Sequence, residues 1–456
     1  MFHAGTSKLS QHGTKKSRRR YGFLFAVATA TVRLLGRETQ EAIRKRAPIV
    51  ALVGIHTGDA HIDSDVHGKL NPKTGLSTAW ESNARALGSA VHEAIERNVD
   101  FFIHAGDCFK NGRPSQEAVL LAAETFRPLV EAGIPLVLID GNHERLSVPT
   151  NQRTATTTLS EILASRGEVH VVEREPRLIR LTNGLQIACL PWLSKTSVLA
   201  RLGEPALEAE FGDKIVSDFA IRSLEQMCAE ADTTAPLLMA SHITADDVRI
   251  DSVAKGHRRG SEMDIAHLFA EPILPRKAVE GMPFAYVALS HIHARQRMGT
   301  KCFYAGSTNR ITMTDADDAK SVNLITLSDN NALERVDFLP TNARHMHSID
   351  LTADDAEERL EALEPESLVG LKLAPGETVV PPSIKDMIAA AGATIVATTK
   401  VVLDRPRRVT AVLPEKTTPV MGLKTWLKEK GYNERDDIDV QDVLAKAAAL
   451  IEESGK

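Results

Sequence analysis

The sequence has few cysteines, few aromatic residues and no long apolar run. Its four cysteines, Cys108, Cys189, Cys228 and Cys302, form no Cys-x-x-Cys pair, which argues against a disulfide framework and a thiolate zinc site. No apolar run approaches the roughly 18 residues that a membrane-spanning helix needs. These absences predict a cytoplasmic protein without membrane association. Aromatic residues make up only 4%, but 43% hydrophobic and 25% charged residues are the balance of a globular chain.

Charge is distributed unevenly over the 456 residues, although the formal net charge is only -5. Residues 1–46 hold eleven Lys and Arg against two Glu, which leaves 44 basic and 58 acidic residues in the rest. Lys15–Arg20 precedes an apolar stretch, Tyr21–Val32, and together they have the outline of an export signal. Arg33 and Arg37 follow closely, however, and no later feature requires export. We therefore expect residues 1–46 to be a disordered basic extension, and the acidic remainder to bind nucleic acid only through a local basic patch or bound cations.

From Pro48 the sequence alternates short apolar runs with helical patterns, which predicts a layered α/β domain. Two helices are predicted at Trp80–Arg97 and Ser115–Ala132, and a hairpin at Val169–Leu190. Each predicted strand ends just before a cluster containing Asp, Asn or His, which is where open α/β sheets place their sites. These strands are Ile49–Thr57, Val99–Ala105, Ile134–Ile139, Leu237–Ala240 and Phe284–Leu289.

The pattern changes after Pro340. Residues 341–413 are expected to form a separate small α+β domain that supports binding rather than chemistry. Residues 414–456 contain two short amphipathic helices, in which Val420, Leu423 and Leu427 share one face. Such terminal helices are usually core elements, but they can also dock on a partner, and the sequence leaves both readings open.

A set of metal-ligand-type residues occurs in order along the chain. Each is common as an ordinary core or turn residue, but their joint placement near strand ends predicts a two-metal centre. Two divalent metals can clamp a phosphate ester and activate water, and they need a bridging carboxylate with neutral donors around it. The imidazole content favours manganese, iron or zinc over magnesium. The residues are Asp59, His61, Asp107, Asn142, His242, His291 and His293.

The ordered motifs resemble the calcineurin-like metallophosphoesterase superfamily. Segments Gly106–Ser115, Leu190–Trp192, Tyr286–His293 and Tyr304–Ser307 further resemble the SbcD nuclease subunit of double-strand-break repair complexes. The resemblance implies a four-layer α-β-β-α sandwich over residues 47–340, a capping domain over 341–413 and a partner-binding helical pair over 414–456.

The resemblance also implies roles for single residues. One metal, expected to be Mn²⁺, would be held by Asp59, His61, Asp107 and His293, and a second by Asp107, Asn142, His242 and His291, so that Asp107 bridges. His143 would protonate the leaving 3′ oxygen, and Glu144 is expected to brace its turn. Two residues depart from the pattern: Lys110 stands where many relatives have a histidine, and Ser290 replaces the usual glycine before His291.

The sequence gives less direct evidence about binding partners. Possible phosphate or DNA contacts are Lys110, Arg113, Lys255, Arg258, Arg259 and Arg295. The resemblance assigns Leu423, Trp426 and Leu427 to binding an SMC-like SbcC-type ATPase, and the helix after Ser115 to a homodimer interface. The predicted function is a metal-dependent DNA nuclease, with double-strand exonuclease and single-strand endonuclease activity, in repair or recombination. Another dinuclear phosphoesterase, or a DNA-tethering subunit with a vestigial site, remains an alternative.

Overall fold

The computed structural model describes residues 51–145, 153–203, 208–246, 248 and 273–400, with positions 424, 427, 440, 441 and 443–446. The predictions for residues 1–46 and for Lys255, Arg258, Arg259, Leu423 and Trp426 lie outside these described residues. One compact unit comprises Met1–Lys372 and Val380–Thr399, and a second comprises Leu373–Val379 and Lys400–Lys456. No helix among the described residues is long and apolar enough to cross a membrane.

The regular elements follow in chain order. The strands are β1 (Val53–Thr57), β2 (Phe101–His104), β3 (Leu136–Ile139), β4 (Val169–Val172), β5 (Arg177–Arg180), β6 (Gln186–Leu190), β7 (Leu237–His242), β8 (Thr244–Ala245), β9 (Ile273–Leu274), β10 (Tyr286–Ser290), β11 (Gln296–Met298), β12 (Cys302–Tyr304), β13 (Ser321–Leu327), β14 (Leu333–Pro340), β15 (Met346–Asp350), β16 (Leu368–Leu373) and β17 (Thr394–Lys400). The helices are α1 (Thr78–Glu96), α2 (Gln116–Glu131), α3 (Ala155–Leu163), α4 (Lys195–Leu202), α5 (Glu208–Glu230), α6 (Arg276–Glu280), α7 (Ala356–Glu361) and α8 (Pro382–Ala390), with a 3-10 helix at Met313–Asp315.

Two six-stranded sheets form the centre of the fold. The first has the order β14-β13-β1-β2-β3-β4, and the second has the order β11-β12-β10-β7-β6-β5. Neighbours from β1 to β4 are parallel, as are β6, β7, β10 and β12. Because parallel strands end at the same edge of a sheet, the loops that follow them converge there.

Alternating side chains on each strand separate three apolar cores. On β2, Phe102 packs towards α1 and α2, whereas Phe101 and Ile103 face the space between the sheets. On β10, Val287 and Leu289 belong to the core that contains residues of α5 and α6. Strands buried on both faces read as continuous apolar runs, which is why they could be found from the sequence. The layers are α-β-β-α, so the predicted sandwich is confirmed.

The predicted hairpin over Val169–Leu190 is correct only in its second half. β5 and β6 pair antiparallel on either side of the Asn183-Gly184 turn, but β4 pairs in parallel with β3 in the first sheet. The chain leaves the first sheet through Arg174, which has a left-handed backbone (φ 59°), and then reaches Pro176. Two residues that interrupt strand geometry therefore lie inside what reads as a single β-rich segment.

A smaller sheet follows the two large ones in sequence. Its order is β15-β16-β17; β15 and β16 are parallel and are connected through α7. The boundaries predicted at residues 341–413 and 414–456 stay predictions. In the C-terminal segment, Lys424 and Leu427 are helical, and Leu427 is buried.

Candidate metal centre

The loops after β1, β2, β3 and β10 meet the end of β7 at one edge of the sandwich. They bring together all seven residues that the sequence predicted as metal ligands, although these lie more than 230 positions apart in the chain at the extremes. His61 Nε2 lies 3.2 Å from His293 Nε2, and His242 Nε2 lies 3.3 Å from Asp107 Oδ2. All seven belong to the compact unit that holds both sheets.

The backbone at this edge is locally strained. Asp59, His61, Asp107 and His291 all have positive φ values, of 49°, 43°, 54° and 102°. Non-glycine residues rarely adopt this region, and it costs on the order of 1–3 kcal/mol per residue. Four of the seven predicted ligands therefore keep a conformation that the rest of the fold must stabilise.

The residue directly before Asp107 is a glycine, Gly106, and its surroundings explain why. Its φ is +106°, and a Cβ at this position would lie 2.3 Å from Nδ1 of His242. Only glycine allows the imidazole ring to approach the backbone this closely. The Gly-Asp motif is thus explained by the packing of a histidine from the other sheet.

Asp107 lies where imidazoles from both sheets converge. Its Oδ2 is 3.7 Å from His61 Nε2, 3.3 Å from His242 Nε2 and 3.9 Å from His143 Nε2. This oxygen is buried and makes no hydrogen bond to the described residues. Burial, together with the carboxylate of Asp59, raises the pKa of Asp107 to about 7. A buried carboxylate oxygen without a hydrogen bond lacks compensating positive charge, and divalent cations would supply it.

His242 shows the same need for a cation. Its Nδ1 lies 3.0 Å from the carbonyl oxygen of Ala105, so Nδ1 carries the hydrogen and donates it. Burial lowers the pKa of His242 to about 4, so at neutral pH its Nε2 presents a lone pair. That lone pair faces Oδ1 of Asn142 at 3.0 Å, and His291 Nδ1 lies 3.1 Å from the same oxygen. Electron-pair donors converging on one point fit a metal ion, and the carbonyl behind His242 holds the ring for that purpose.

Among the described residues, three groups of side chains have ligand atoms close enough to hold an ion. Two of them, Asp59 with His61 and His293, and Asp107 with His242 and His291, reproduce parts of the two predicted ligand sets. The third joins His61, Asp107 and His143. It places His143, the predicted proton donor, within reach of an ion.

The sequence over residues 55–295, just over half of the chain, matches the model of the family described as calcineurin-like phosphoesterase. The chain belongs to this family. With the clustered Asp and His residues, membership makes this calcineurin-like phosphoesterase a hydrolase with a dinuclear divalent-metal site.

Solved structures to which it is similar include three with 12% sequence identity. A dimetal phosphatase from Danio rerio matches over 65% of this chain and 100% of its own, with a TM-score of 0.35. The protein TT1561 of Thermus thermophilus matches over 63% and 99%, with a TM-score of 0.33. Purple acid phosphatase PPD1 from yellow lupin (Lupinus luteus) seeds matches over 62% and 51%, with a TM-score of 0.32.

His143 and Lys110 form a pair beside Asp107, the predicted bridging carboxylate of this phosphoesterase. His143 Nδ1 lies 3.0 Å from the carbonyl oxygen of Lys110, which can only accept, so Nδ1 donates. His143 Nε2 lies 3.3 Å from Lys110 Nζ and accepts a hydrogen bond from the ammonium group. Burial, followed by the charge of Lys110, lowers the pKa of His143 to about 3. One residue therefore fixes both ring nitrogens of His143.

Two buried acids hold the loops on which this pair stands. Glu144 accepts backbone hydrogen bonds from Asp107 (3.1 Å) and Gly141 (2.8 Å) through Oε2 and from Phe109 (2.8 Å) through Oε1. The prediction that Glu144 braces its turn is therefore confirmed. Asp63 accepts from the backbone N–H of Lys110. Asp63 was not recognised in the sequence, where its only signal is its position two residues after His61.

Ser290 fits the strand end because of its neighbour Gly58. Ser290 is the last residue of β10, pairs with His242 on β7 and is buried. A Cβ at Gly58 would lie 1.9 Å from Oγ of Ser290. The serine that departs from the family pattern thus occupies space that a glycine on the facing loop leaves open.

The predicted DNA-contact residues differ in their surroundings. Arg295 lies over the ring of Phe338 at 4.1 Å and donates to Oγ of Ser321, so intramolecular contacts hold it. Arg113 lines a groove between α2 and α3. Of this predicted set, only Lys110 is placed beside the cluster of ligands by the contacts described.

Two features behind the centre were not predicted as site residues. Trp192 packs against the rings of His291 and His242, at centroid distances of 5.2 and 6.1 Å, and is partly exposed. Asp315 and Lys320 form a buried ion pair next to His293. Trp192, Asp315 and Lys320 lie apart from the ligand motifs in the sequence, so no characteristic spacing marks them as part of the site.

Proposed function

We propose that this phosphoesterase is a Mn²⁺-dependent DNA nuclease, with exonuclease activity on duplex ends and endonuclease activity on single strands, acting in repair or recombination. The observation that supports it best is the His143–Lys110 pair beside Asp107. The 3′ oxygen of DNA is a poor leaving group, so breaking its bond to phosphorus requires a positioned proton donor. The resemblance of the motifs to SbcD supports the choice of substrate.

The ligands have separable tasks in this proposal. Bound metals would polarise the phosphate and supply a nucleophile derived from water. Asp107 would help to hold both ions, and Asp59, Asn142 and the four histidines would complete the set. Glu144 keeps the loops of Asp107 and His143 at a fixed distance through its three backbone hydrogen bonds.

The pair proposed to face the leaving group consists of the imidazole of His143 and the ammonium group of Lys110. Nε2 of His143 faces Asp107 Oδ2 at 3.9 Å, so it lies at the edge of the metal centre. The hydrogen bond from Lys110 places a proton-bearing Nζ next to Nε2. Because Nε2 of His143 accepts this bond and carries no proton, Lys110 Nζ would give the proton to the leaving oxygen and would also contact the phosphate as a point charge, while His143 would hold Lys110 in place.

Trp192 adds support for a nucleic acid. It is a partly exposed aromatic residue in contact with His242 and His291. A nucleobase next to the scissile phosphate can stack on such a ring without regard to sequence. A small phosphomonoester has no group that would use this contact.

Comparing substrates tests the proposal. The purified protein with Mn²⁺ is expected to degrade end-labelled duplex DNA and nick single strands, and chelator should abolish both activities. His143→Ala should lower the rate by about 10²–10⁴-fold. Exclusive activity on a phosphomonoester would make the protein a phosphatase, and undiminished digestion by the His143 variant would show that the role of this residue is wrong.

Leaving-group dependence tests the pair itself. Lys110→Met should lose most activity on DNA but much less on a nitrophenyl phosphodiester, because nitrophenolate leaves without a proton. Lys214→Met, at an exposed ion pair on α5, is the matched control. An equal loss on both substrates would assign Lys110 to phosphate binding alone.

We further propose a homodimer formed through α2 and α3. They border a groove of about 490 Å³, in which Leu120 and Ile162 are 52% and 37% exposed. Leu120→Glu should shift the protein from dimer to monomer in analytical ultracentrifugation. Leu202→Glu, at a comparably exposed position on α4, should leave the dimer unchanged. A monomeric parent protein would disprove the interface.

The SMC-like ATPase partner and the cytoplasmic location belong to the same proposal. The partner follows from the resemblance in the helical pair over residues 414–456. The location is supported by four free cysteines, three of them buried. Co-purification with a coiled-coil ATPase would check the proposed partner. Leu427→Asp tests whether Leu427 makes this contact, and Leu444→Asp is the matched control at another buried leucine of this segment.

A further inference from the structure

The two ring nitrogens of His293 face different surroundings. Nε2 lies 3.2 Å from Nε2 of His61 and belongs to the group that could hold an ion with Asp59. Nδ1 lies 3.6 Å from Oδ1 of Asp315. His293 would thus ligate through Nε2, while its other nitrogen faces a carboxylate.

Asp315 is fixed from its other side. It is 2% exposed, and its Oδ2 accepts the backbone N–H groups of Ile311 (3.0 Å) and Thr312 (2.9 Å). The carboxylate cannot rotate without breaking both bonds, so Oδ1 stays directed at His293 and at Lys320, whose Nζ is 3.4 Å away. Geometry of this kind holds a metal-binding imidazole in one orientation.

Lys320 completes the arrangement. It is 5% exposed, and its Nζ donates to the backbone carbonyl of His293 (3.1 Å) and to Asp318 (3.0 Å). The ammonium group therefore neutralises Asp315 and also holds the backbone of the residue whose ring Asp315 faces. Lys320 directly precedes β13, which pairs with β1, the strand that leads to Asp59 and His61.

We propose that Asp315 is a positioning residue for the metal centre. Together with Lys320 it fixes the ring of His293 and sets the affinity of the ion held by Asp59, His61 and His293. The ion held by Asp107, His242 and His291 does not depend on it, because His242 is positioned by the carbonyl of Ala105 instead. The proposal concerns the metal centre and holds whatever phosphate ester is the substrate.

Mn²⁺ binding to the metal-free full-length protein tests it without any substrate. In calorimetric titration, Asp315→Asn should weaken one of the two binding events by about 10- to 100-fold and leave the other as in the parent. Asp318→Asn is the matched control, because Asp318 also contacts Lys320 but is not directed at His293. Two binding events identical to those of the parent in the Asp315 variant would overturn the proposal.

A second variant separates positioning from simple loss of a buried ion pair. Asp315→Asn leaves the buried Lys320 charged with Asp318 as its remaining carboxylate partner, which can destabilise the fold. The double variant Asp315→Asn, Lys320→Met removes that charge and keeps the volume. The proposal predicts that one Mn²⁺ event stays weak in the double variant. Recovery of both events would assign the loss to the incompletely neutralised lysine and overturn the positioning role.

Discussion

The first six-stranded sheet supplies both carboxylates of the metal centre, Asp59 and Asp107, whereas the second supplies three of its four histidine ligands. The carboxylates stand in turns with left-handed backbone, but His242 is still part of β7. Negative charge therefore comes from one layer and most of the neutral donors from the other. Neither sheet alone would form a site that binds two cations and still accepts a phosphate.

The two layers also stabilise their ligands differently. The loop of Asp107 is held by Glu144 through several backbone N–H groups, whereas His242 is held by a single carbonyl oxygen, that of Ala105. A short turn needs several fixed points, because its own residues make few regular hydrogen bonds. A ligand at a strand end already has a fixed backbone, so one contact to its ring is enough.

Removing charge from the first sheet should have the largest effect. Asp107→Asn should lower turnover of a chromogenic phosphodiester by at least about 10²–10³-fold, because the site would lose a buried negative charge that is predicted to hold both ions. Asp218→Asn, at an exposed ion pair on α5, should leave the rate unchanged. Near-normal turnover by the Asp107 variant would mean that the carboxylates of the first sheet do not supply the negative charge that the centre needs.

A substitution at Gly106 should disturb the contact between the two layers. Gly106→Ala places a methyl group 2.3 Å from Nδ1 of His242, in addition to its unfavourable φ. Gly133→Ala is the matched control, since its φ is +83° and the space around it is open. We expect Gly106→Ala to lower the free energy of unfolding by about 1–3 kcal/mol more than the control does. Equal losses in urea denaturation would contradict the packing explanation.

Substitutions at Gly58 and Ser290 test whether the two sheet layers are complementary in shape where they meet. Gly58→Ala should destabilise the protein by about 1–3 kcal/mol, because its methyl group would overlap the side chain of Ser290. Adding Ser290→Gly removes that side chain and should recover most of the loss. A double-mutant cycle measured by chemical denaturation gives the coupling. Additive effects would show that the two residues do not interact.

The last prediction concerns the dependence of stability on pH. His56 on β1 contacts Tyr286 of the second sheet (2.9 Å), and burial lowers the pKa of His56 to about 3. Above pH 6.5 this histidine is neutral in both states. As pH falls from 6.5 towards 3, only the unfolded chain binds the proton, so stability decreases by about 1.4 kcal/mol per pH unit.

His56→Gln should remove this contribution. Between pH 6.5 and 5, the free energy of unfolding of the metal-free variant should fall less steeply than that of the parent. Between pH 7 and 8 the two slopes should agree, which serves as the internal control. Parallel curves over the whole range would show that His56 does not stay neutral in the folded protein.

The sequence was sufficient for the layered fold and for finding the seven residues that meet at one edge of it. Strands such as β2 and β10 are buried on both faces, so their composition alone marks them, and each ligand lies close to a strand end. Ligand chemistry restricts these positions to Asp, Asn and His. These requirements concern single residues and their neighbours in the chain, so they can be recognised in a sequence.

The remainder depends on distant contacts. The pair of Lys110 with His143 and the ion pair of Asp315 with Lys320 could not be found, because any polar residue can serve if the fold brings it close. The compatibility of Ser290 with Gly58 has the same origin, as the two lie on different sheets. The departure of β4 to the first sheet depends on the backbone of Arg174, which no hydrophobic pattern records.

The contact between His61 and His293 spans 232 positions. During synthesis, residues emerge from the ribosome in order, so the nascent chain carries Asp59 and His61 long before their partners exist. The earlier residues can complete their ion site only after position 293 has emerged. The full set of donor side chains therefore exists only after nearly two thirds of the chain has been translated.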